Sequence, residues 1–277
     1  MDERPEGKQS KNERIESFLR EHYDFRFNTV KSRTEFRYSN KDEPFYPLGK
    51  FDINSMRRLL DSSQGISTSA ENIRAILESD FCPRINPVQE YFQKLSKWNE
   101  GEDSEIIHLA SCVTVRNPEK WQTYLTKWLI AVVANAMDDL FCRNHTCLVL
   151  TGEQGKFKTT FLDLLCPVEL KAYLFTGTID PQNKDTQTLI AEYLFINIDD
   201  QLKALNKRDE NELKNLITTP RVKYRRPYDT YIEEYPHLAS FMASVNGNDF
   251  LTDPTGSRRF LPFEVEAIDI EAAKQVD

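Results

Sequence analysis

The chain has 277 residues, 39% of them hydrophobic and 17 of them Phe, enough for one large core or two ordinary ones. A net charge of −8 excludes a polyelectrolyte that holds nucleic acid over its whole surface, so any such site must be a local basic patch. Five cysteines without a C-x-x-C pair and four scattered histidines exclude a disulfide framework and a zinc site and point to a reducing cytoplasm.

No signal peptide and no apolar run of about 18 residues is visible, so a soluble, cytoplasmic protein with no membrane segment is expected. Residues 1–12 are polar and read as a disordered tail. Residues 12–22 carry Ile15, Phe18 and Leu19 at helical spacing. Residues 24–30 and 34–38 alternate as the arms of a hairpin whose arginines face solvent. Two helices follow, near 52–61 and 69–79. This order predicts a small α+β module over 1–82. Pro83, Asn86 and Pro87 mark a break. A short amphipathic helix is expected over 88–95 and a turn over 98–101. Residues 104–142 read as all-helical, with Trp121, Tyr124, Leu125, Trp128, Leu129 and Val132 as a core stripe. Residues 83–142 thus form a helical collar.

Residues 143–277 read as an α/β core with a mainly parallel central sheet. Residues 147–150 are a short apolar run, as in a buried strand. Gly152, Glu153, Gln154, Gly155, Lys156 and Phe157 form a loop, and Lys158, Thr159 and Thr160 open a helix that Pro167 helps to stop. Loop amides at a helix N-terminus bind phosphate, a lysine there reaches the β- and γ-phosphates, and a threonine hydroxyl ligates Mg²⁺. The pattern G-x-x-x-x-G-K-[ST] is met at Gly152, Lys158 and Thr159, but Phe157 stands where the second glycine belongs. The alternative is an ordinary glycine turn. A strand is expected over 171–175 and a helix over 184–192. Residues 193–198 form an apolar strand that ends in Asp199 and Asp200. Placed beside the loop strand, this strand would bring two carboxylates to a Mg²⁺ shell and an attacking water.

A helix is expected over 209–217. Arg221, Lys223, Arg225 and Arg226 then alternate with Tyr224 and Tyr228. Basic side chains neutralise phosphates and aromatics stack on bases. The alternative is a solvated loop that balances Glu233 and Glu234. Residues 238–245 read as a buried strand ending in Asn246. A turn over 253–260 carries Arg258 and Arg259, and residues 261–265 read as a last strand.

Several of these motifs together resemble one family. They are Asn86 and Pro87 with Glu90, Tyr91 and Phe92; the loop with Lys158 and Thr159; Ile198 with Asp199 and Asp200; Arg225 to Tyr228; Ser244 to Asn246; and Phe250, Leu251, Asp253 and Gly256 to Phe260. This set looks like the virulence-associated E (VirE/VapE) family, which is similar to superfamily 3 helicases and to the helicase halves of phage and plasmid primase-helicases. The resemblance is specific over 140–265 and weaker over 80–140. The first 80 residues resemble only modules that precede this ATPase in some bacterial mobile-element proteins.

The resemblance implies an ATP-driven DNA replication protein of a phage, genomic island or conjugative element. It would be an ATPase and helicase or translocase, using ATP and Mg²⁺ on single-stranded or forked DNA as a homo-oligomer such as a hexameric ring. By it, Lys158 and Thr159 belong to Walker A and Asp199 and Asp200 to Walker B, with Thr159, Asp199 and Asp200 holding Mg²⁺. Asn246 is the sensor-1 residue. Arg258 or Arg259 is the arginine finger toward a neighbouring subunit, and residues 221–228 form a DNA-contacting hairpin. Two departures stand out: Phe157 replaces glycine, and Asp200 stands where relatives carry Glu. They favour the alternative of a nucleotide-dependent binding or assembly module that does not hydrolyse. A small-molecule phosphotransferase is a third reading. The chain stops soon after the arginine pair, so a further C-terminal region is expected beyond Asp277.

Overall fold

Ser10 accepts from the Glu13 amide (3.2 Å) while the Glu13 carboxylate accepts from the Ser10 amide (2.5 Å), a reciprocal cap that starts α1 (Lys11–His22). The expected tail over 1–12 is therefore helical from Lys11 onward. The computed structural model describes residues 9–97, 104–183, 185–226, 231–247 and 257–276. The chain divides into two units, Met1–Glu90 and Tyr91–Asp277.

In the first unit α1 leads to β1 (Tyr23–Asn28), β2 (Arg33–Tyr38), β3 (Tyr46–Pro47), α2 (Lys50–Gln64), α3 (Ala70–Leu77) and β4 (Arg84–Ile85). The sheet order is β3-β2-β1-β4, and the hairpin pairs Tyr23 with Tyr38 through Asn28 with Arg33. One face of this hairpin buries Phe25 and Phe36 against Ile15, Phe18, Leu19, Met56 and Leu60 from the helices. Each such side chain contributes roughly 1.5–3 kcal/mol. Of the hairpin arginines, expected in solvent, Arg33 is exposed and Arg26 and Arg37 are half-buried, and all three are paired. Glu35, 3% exposed, accepts from Arg26, Arg33 and Asn28, and Arg37 bonds Asp24. Cross-strand register puts Arg26 opposite Glu35, and a charge beside a buried carboxylate is held there.

After α4 (Pro87–Lys94), the second unit runs through α5 (Glu105–Ser111), β5 (Val113–Val115), α6 (Pro118–Ala136), β6 (Cys147–Gly152), α7 (Lys158–Leu164), β7 (Leu174–Gly177), α8 (Asp185–Glu192), β8 (Phe195–Asp199), α9 (Lys207–Thr218), β9 (Arg221–Tyr224), β10 (Glu233–Pro236), β11 (Ser240–Asn246), β12 (Phe260–Ile268) and α10 (Ile270–Ala273). The described residues form a six-stranded sheet in the order β5-β12-β6-β11-β8-β7, with β9 and β10 as a separate hairpin. All neighbours from β12 to β7 are parallel, and β5 joins antiparallel at the edge. The mainly parallel sheet is thus present, and β6 and β11 are buried along nearly their whole length. The core stripe of α6 buries Trp121, Leu125, Trp128 and Val132, whereas Tyr124 is 37% exposed.

Three expectations need correction. Residues 104–142 are not all helix. Val113 and Val115 bury one face of a short strand that borders β12. The strand expected over 171–175 begins only at Leu174, because Val168–Tyr173 is a 3-10 turn that buries Leu170 and Tyr173, three residues apart. The strand ending in the paired acids does not lie beside the loop strand. β11 is inserted between them, and its unbroken buried run suits that central place. The turn expected over 98–101 lies outside the described residues.

Candidate functional site

The parallel strands bring their C-terminal ends to one edge. Asn246 at the end of β11 is level with Gly152 at the end of β6, and Ser244 is level with Asp199 at the end of β8. β7, β8 and β11 lie on one side of β6 and β12 on the other, so the winding reverses at β6. Ligands of open α/β sheets bind at such a switch point. Gly152 has φ 134°, and a Cβ there would lie 2.7 Å from the Val265 carbonyl oxygen of β12, so only glycine lets the chain leave the sheet here. Gly155 has φ 82° in open space. Phe157, at the helix start, takes the left-handed conformation (φ 55°, ψ 22°) and is 54% exposed. The glycine of the phosphate-loop pattern stands at a position that here requires positive φ.

Lys158 opens α7 and turns back under the loop. It is 5% exposed, and its Nζ donates to Gly152 O (3.1 Å), Glu153 O (2.6 Å) and Asn246 Oδ1 (3.2 Å). All three acceptors are neutral, and among the described residues no carboxylate lies within ion-pair distance of Nζ. Burial lowers its pKa, and the fields of Asp200 and Asp199 oppose that shift. Thr159 Oγ1 donates to Asp199 Oδ1 (2.8 Å) and lies 2.9 Å from Ser244 Oγ, which donates to the same Asp199 oxygen (2.7 Å). Asp200 has φ 46°, and both its oxygens accept from Asn246, one from the backbone amide (3.1 Å) and one from Nδ2 (2.9 Å).

The structure thus brings together Lys158, Thr159, Asp199, Asp200 and Asn246. Glu153, Gln154, Gly155 and Thr160 are exposed around them, and Lys156 faces Glu153 at 3.6 Å. Two further residues join the cluster. Ser244, two positions before Asn246 on the same face of the strand, stood in the resemblance motif without an assigned role. Lys203 reaches Asn246 O at 3.4 Å from the turn after Asp200, and nothing in the sequence marked it. Asn197, fully buried two residues before Asp199, donates to Asp163 Oδ1 (2.7 Å) and Thr159 O (3.3 Å), tying α7 to β8.

Arg258 and Arg259 are elsewhere. They precede Phe260, which is level with Cys147 at the opposite end of β6. Five residues of strand separate them from Gly152, about 17 Å. Arg258 is exposed, and Arg259 Nε is buried without a hydrogen-bond partner among the described residues. Phe250, Leu251, Asp253 and Gly256 lie outside the described residues.

The basic segment is split by strand parity. Arg221 pairs with Glu234 (3.2 Å), as does Lys223 more loosely (3.7 Å). Arg226 is 9% exposed, lies 3.4 Å from Glu192 and stacks over Tyr235 at 4.1 Å. Tyr224 is 8% exposed, with its ring against that of Tyr235 (centroids 4.6 Å apart), so it is buried in the hairpin's own packing. Burial pushes its hydroxyl up to about 12. Lys223 and Arg225 are exposed, as are Tyr231 and Ile232 near the tip at 74% and 71%. A cavity of about 700 Å³ lies between this hairpin and α8, lined by Asp185, Gln187, Thr188, Lys223, Arg225 and Ile232 among others. Tyr228 lies outside the described residues.

A search among curated proteins gives no match. Among solved structures, the apo NrS-1 C-terminal region is similar, with a TM-score of 0.58 and 14% identity over 98% of this chain and 67% of that one. A second form of the same region gives 0.54 and 16% over 95% and 65%. The chain spans about two thirds of the length of these structures, and at this identity the likeness concerns the fold. A family model described as the virulence-associated protein E-like domain matches residues 92–277. That match covers well over half of the sequence and includes every residue of the strand-end cluster, so the chain belongs to the virulence-associated protein E-like family.

Proposed function

We propose that the second unit is a nucleoside-triphosphate-hydrolysing motor that acts on DNA in the replication of a mobile element, in the manner of superfamily 3 helicases. One observation carries this reading. A buried lysine ammonium donates only to neutral oxygens, under a glycine loop, beside a hydroxyl–carboxylate cluster. An unpaired buried cation favours an anionic ligand, and the first amides of α7 with the loop amides suit a triphosphate. The donor set fits a magnesium ion, since Thr159, Ser244, Asp199 and Asp200 offer only hard oxygens. Thr159, Asp199 and Asp200 are the residues that would hold it, and when bound it would neutralise charge on the phosphates. Lys158 would leave Asn246 Oδ1 for phosphate oxygen. Asn246 would then keep Asp200 aimed at the water that attacks in line.

Lys158→Ala tests this directly. Mg-ATP binding measured by calorimetry should fall at least a hundredfold while the melting temperature stays near the parent's. Equal affinity in both proteins would sink the phosphate reading. A second reading, nucleotide-dependent binding without hydrolysis, is favoured by the capture of both Asp200 oxygens by Asn246. Steady-state turnover with and without single-stranded DNA separates the two.

A further inference from the structure

His237 is 1% exposed and sits where the β9–β10 hairpin returns to the sheet. Its Nδ1 is 2.6 Å from Thr219 O, at the root of the hairpin, and its Nε2 is 2.8 Å from Ala239 O, just before β11. The hairpin side is reinforced by the His237 amide, which donates to Pro220 O at 3.3 Å. The sheet side is reinforced by Asn135 of α6, whose Nδ2 donates to His237 O and Leu238 O, each at 3.0 Å. Carbonyl oxygens only accept, and a neutral imidazole carries one N–H. One of the two ring contacts therefore sets lone pair against lone pair. An imidazolium would satisfy both, but burial disfavours the charge, as does His145 nearby. Hairpin and sheet compete for a single proton inside the core.

We propose that His237 is a positioning residue, a two-state coupler that ties the hairpin to β11 by passing its one ring proton between Thr219 O and Ala239 O. The tautomers interconvert through solvent when the hairpin root opens: one ring nitrogen gives its proton to water and the other takes one from water, so the charge of the site does not change. With the proton on Nδ1 the hairpin root is held and the start of β11 is freer. With it on Nε2 the reverse holds. The far end of β11 carries Ser244 and Asn246. The functional meaning rests on the reading above, in which the hairpin meets DNA and the strand end meets nucleotide. The coupler is then a physical element that both sites bias.

The test uses the full chain. An Asn amide nitrogen overlays Nδ1 of histidine and a Gln amide nitrogen overlays Nε2. His237→Asn therefore keeps only the Thr219 contact and His237→Gln only the Ala239 contact. Amide hydrogen exchange should rise about fivefold to tenfold at the start of β11 in H237N with the hairpin as protected as in the parent, and the opposite should hold in H237Q. Identical profiles in the three proteins overturn the proposal. Stimulation of turnover by oligothymidine should fall toward one in both variants, with basal turnover within twofold of the parent. Parental stimulation in either variant also overturns it. Split exchange profiles in a protein without turnover would remove the motor reading and leave the coupler standing. Should the variants melt early, nitrogen-15 spectra of the parent imidazoles decide. His237 must show a mixture of both neutral tautomers, and one fixed tautomer or an imidazolium rejects the proposal.

Discussion

Phe157 holds a backbone conformation that disfavours any side chain with a Cβ by about 1–2 kcal/mol, and its exposed ring recovers little of that through burial. Phe157→Gly should therefore raise stability by about 1 kcal/mol in denaturant titration and leave nucleotide affinity at least as high. A loss of stability would mean that the ring packs in solution. The sequence pattern marked this position as unusual, and φ supplies the reason. Lys158 gives a second test. Burial holds its pKa low in the free protein, whereas phosphate charge favours the ammonium and raises it. Between the lowered and the raised value, at alkaline pH, Mg-ATP binding should take up a proton. Calorimetry in two buffers of different ionisation enthalpy measures that uptake, and its absence would exclude Lys158 as the phosphate partner. Lys158, Thr159, Asp199, Asp200 and Asn246 were legible because each ends or follows a buried strand. Lys203 was not, because its place depends on how the turn after Asp200 folds back toward Gly247.

At the scale of the element, the β9–β10 hairpin separates charge into two jobs. Val222, Tyr224 and Arg226 share one parity and are buried, while Lys223 and Arg225 share the other and are exposed. That alternation was present in the sequence, with Val222 as its signal, but six residues rich in charge read as a single patch. Lys223→Ala with Arg225→Ala should weaken single-stranded DNA binding and flatten its salt dependence by about 1.4 log units per log unit of salt, with melting unchanged. Arg226→Ala should instead lower stability by about 3 kcal/mol, since it removes a buried charge contact to Glu192 and the stack over Tyr235, and should leave the salt slope alone. A pair mutant that keeps the parental slope would remove the hairpin from the DNA path. The insertion of β11 between β6 and β8 was not legible. Strand pairing across tens of residues leaves no local pattern, whereas the strands themselves do.

For the whole molecule, the arginine pair is the informative feature. Arg258 and Arg259 stand at the end of β12 remote from their own loop, too far for a side chain to cross about 17 Å of strand. If either acts on nucleotide, it acts on a neighbour's. Mixing Arg258→Ala with Lys158→Ala should then restore part of the turnover that each lacks alone, and specific activity of the parent should rise with protein concentration. No complementation would assign the pair a structural role.

The same strand has a consequence for how the protein is made. β6 gains its flanking partners, β11 and β12, only from the last part of the chain, and β5 pairs with β12 across roughly 150 intervening residues. At about 5–20 residues per second, the first unit can fold on the ribosome for many seconds while the apolar edges of β6 stay open. Nascent chains stalled before Phe260 should expose those edges and recruit chaperones, and refolding from denaturant should be slowest at the step that docks β12.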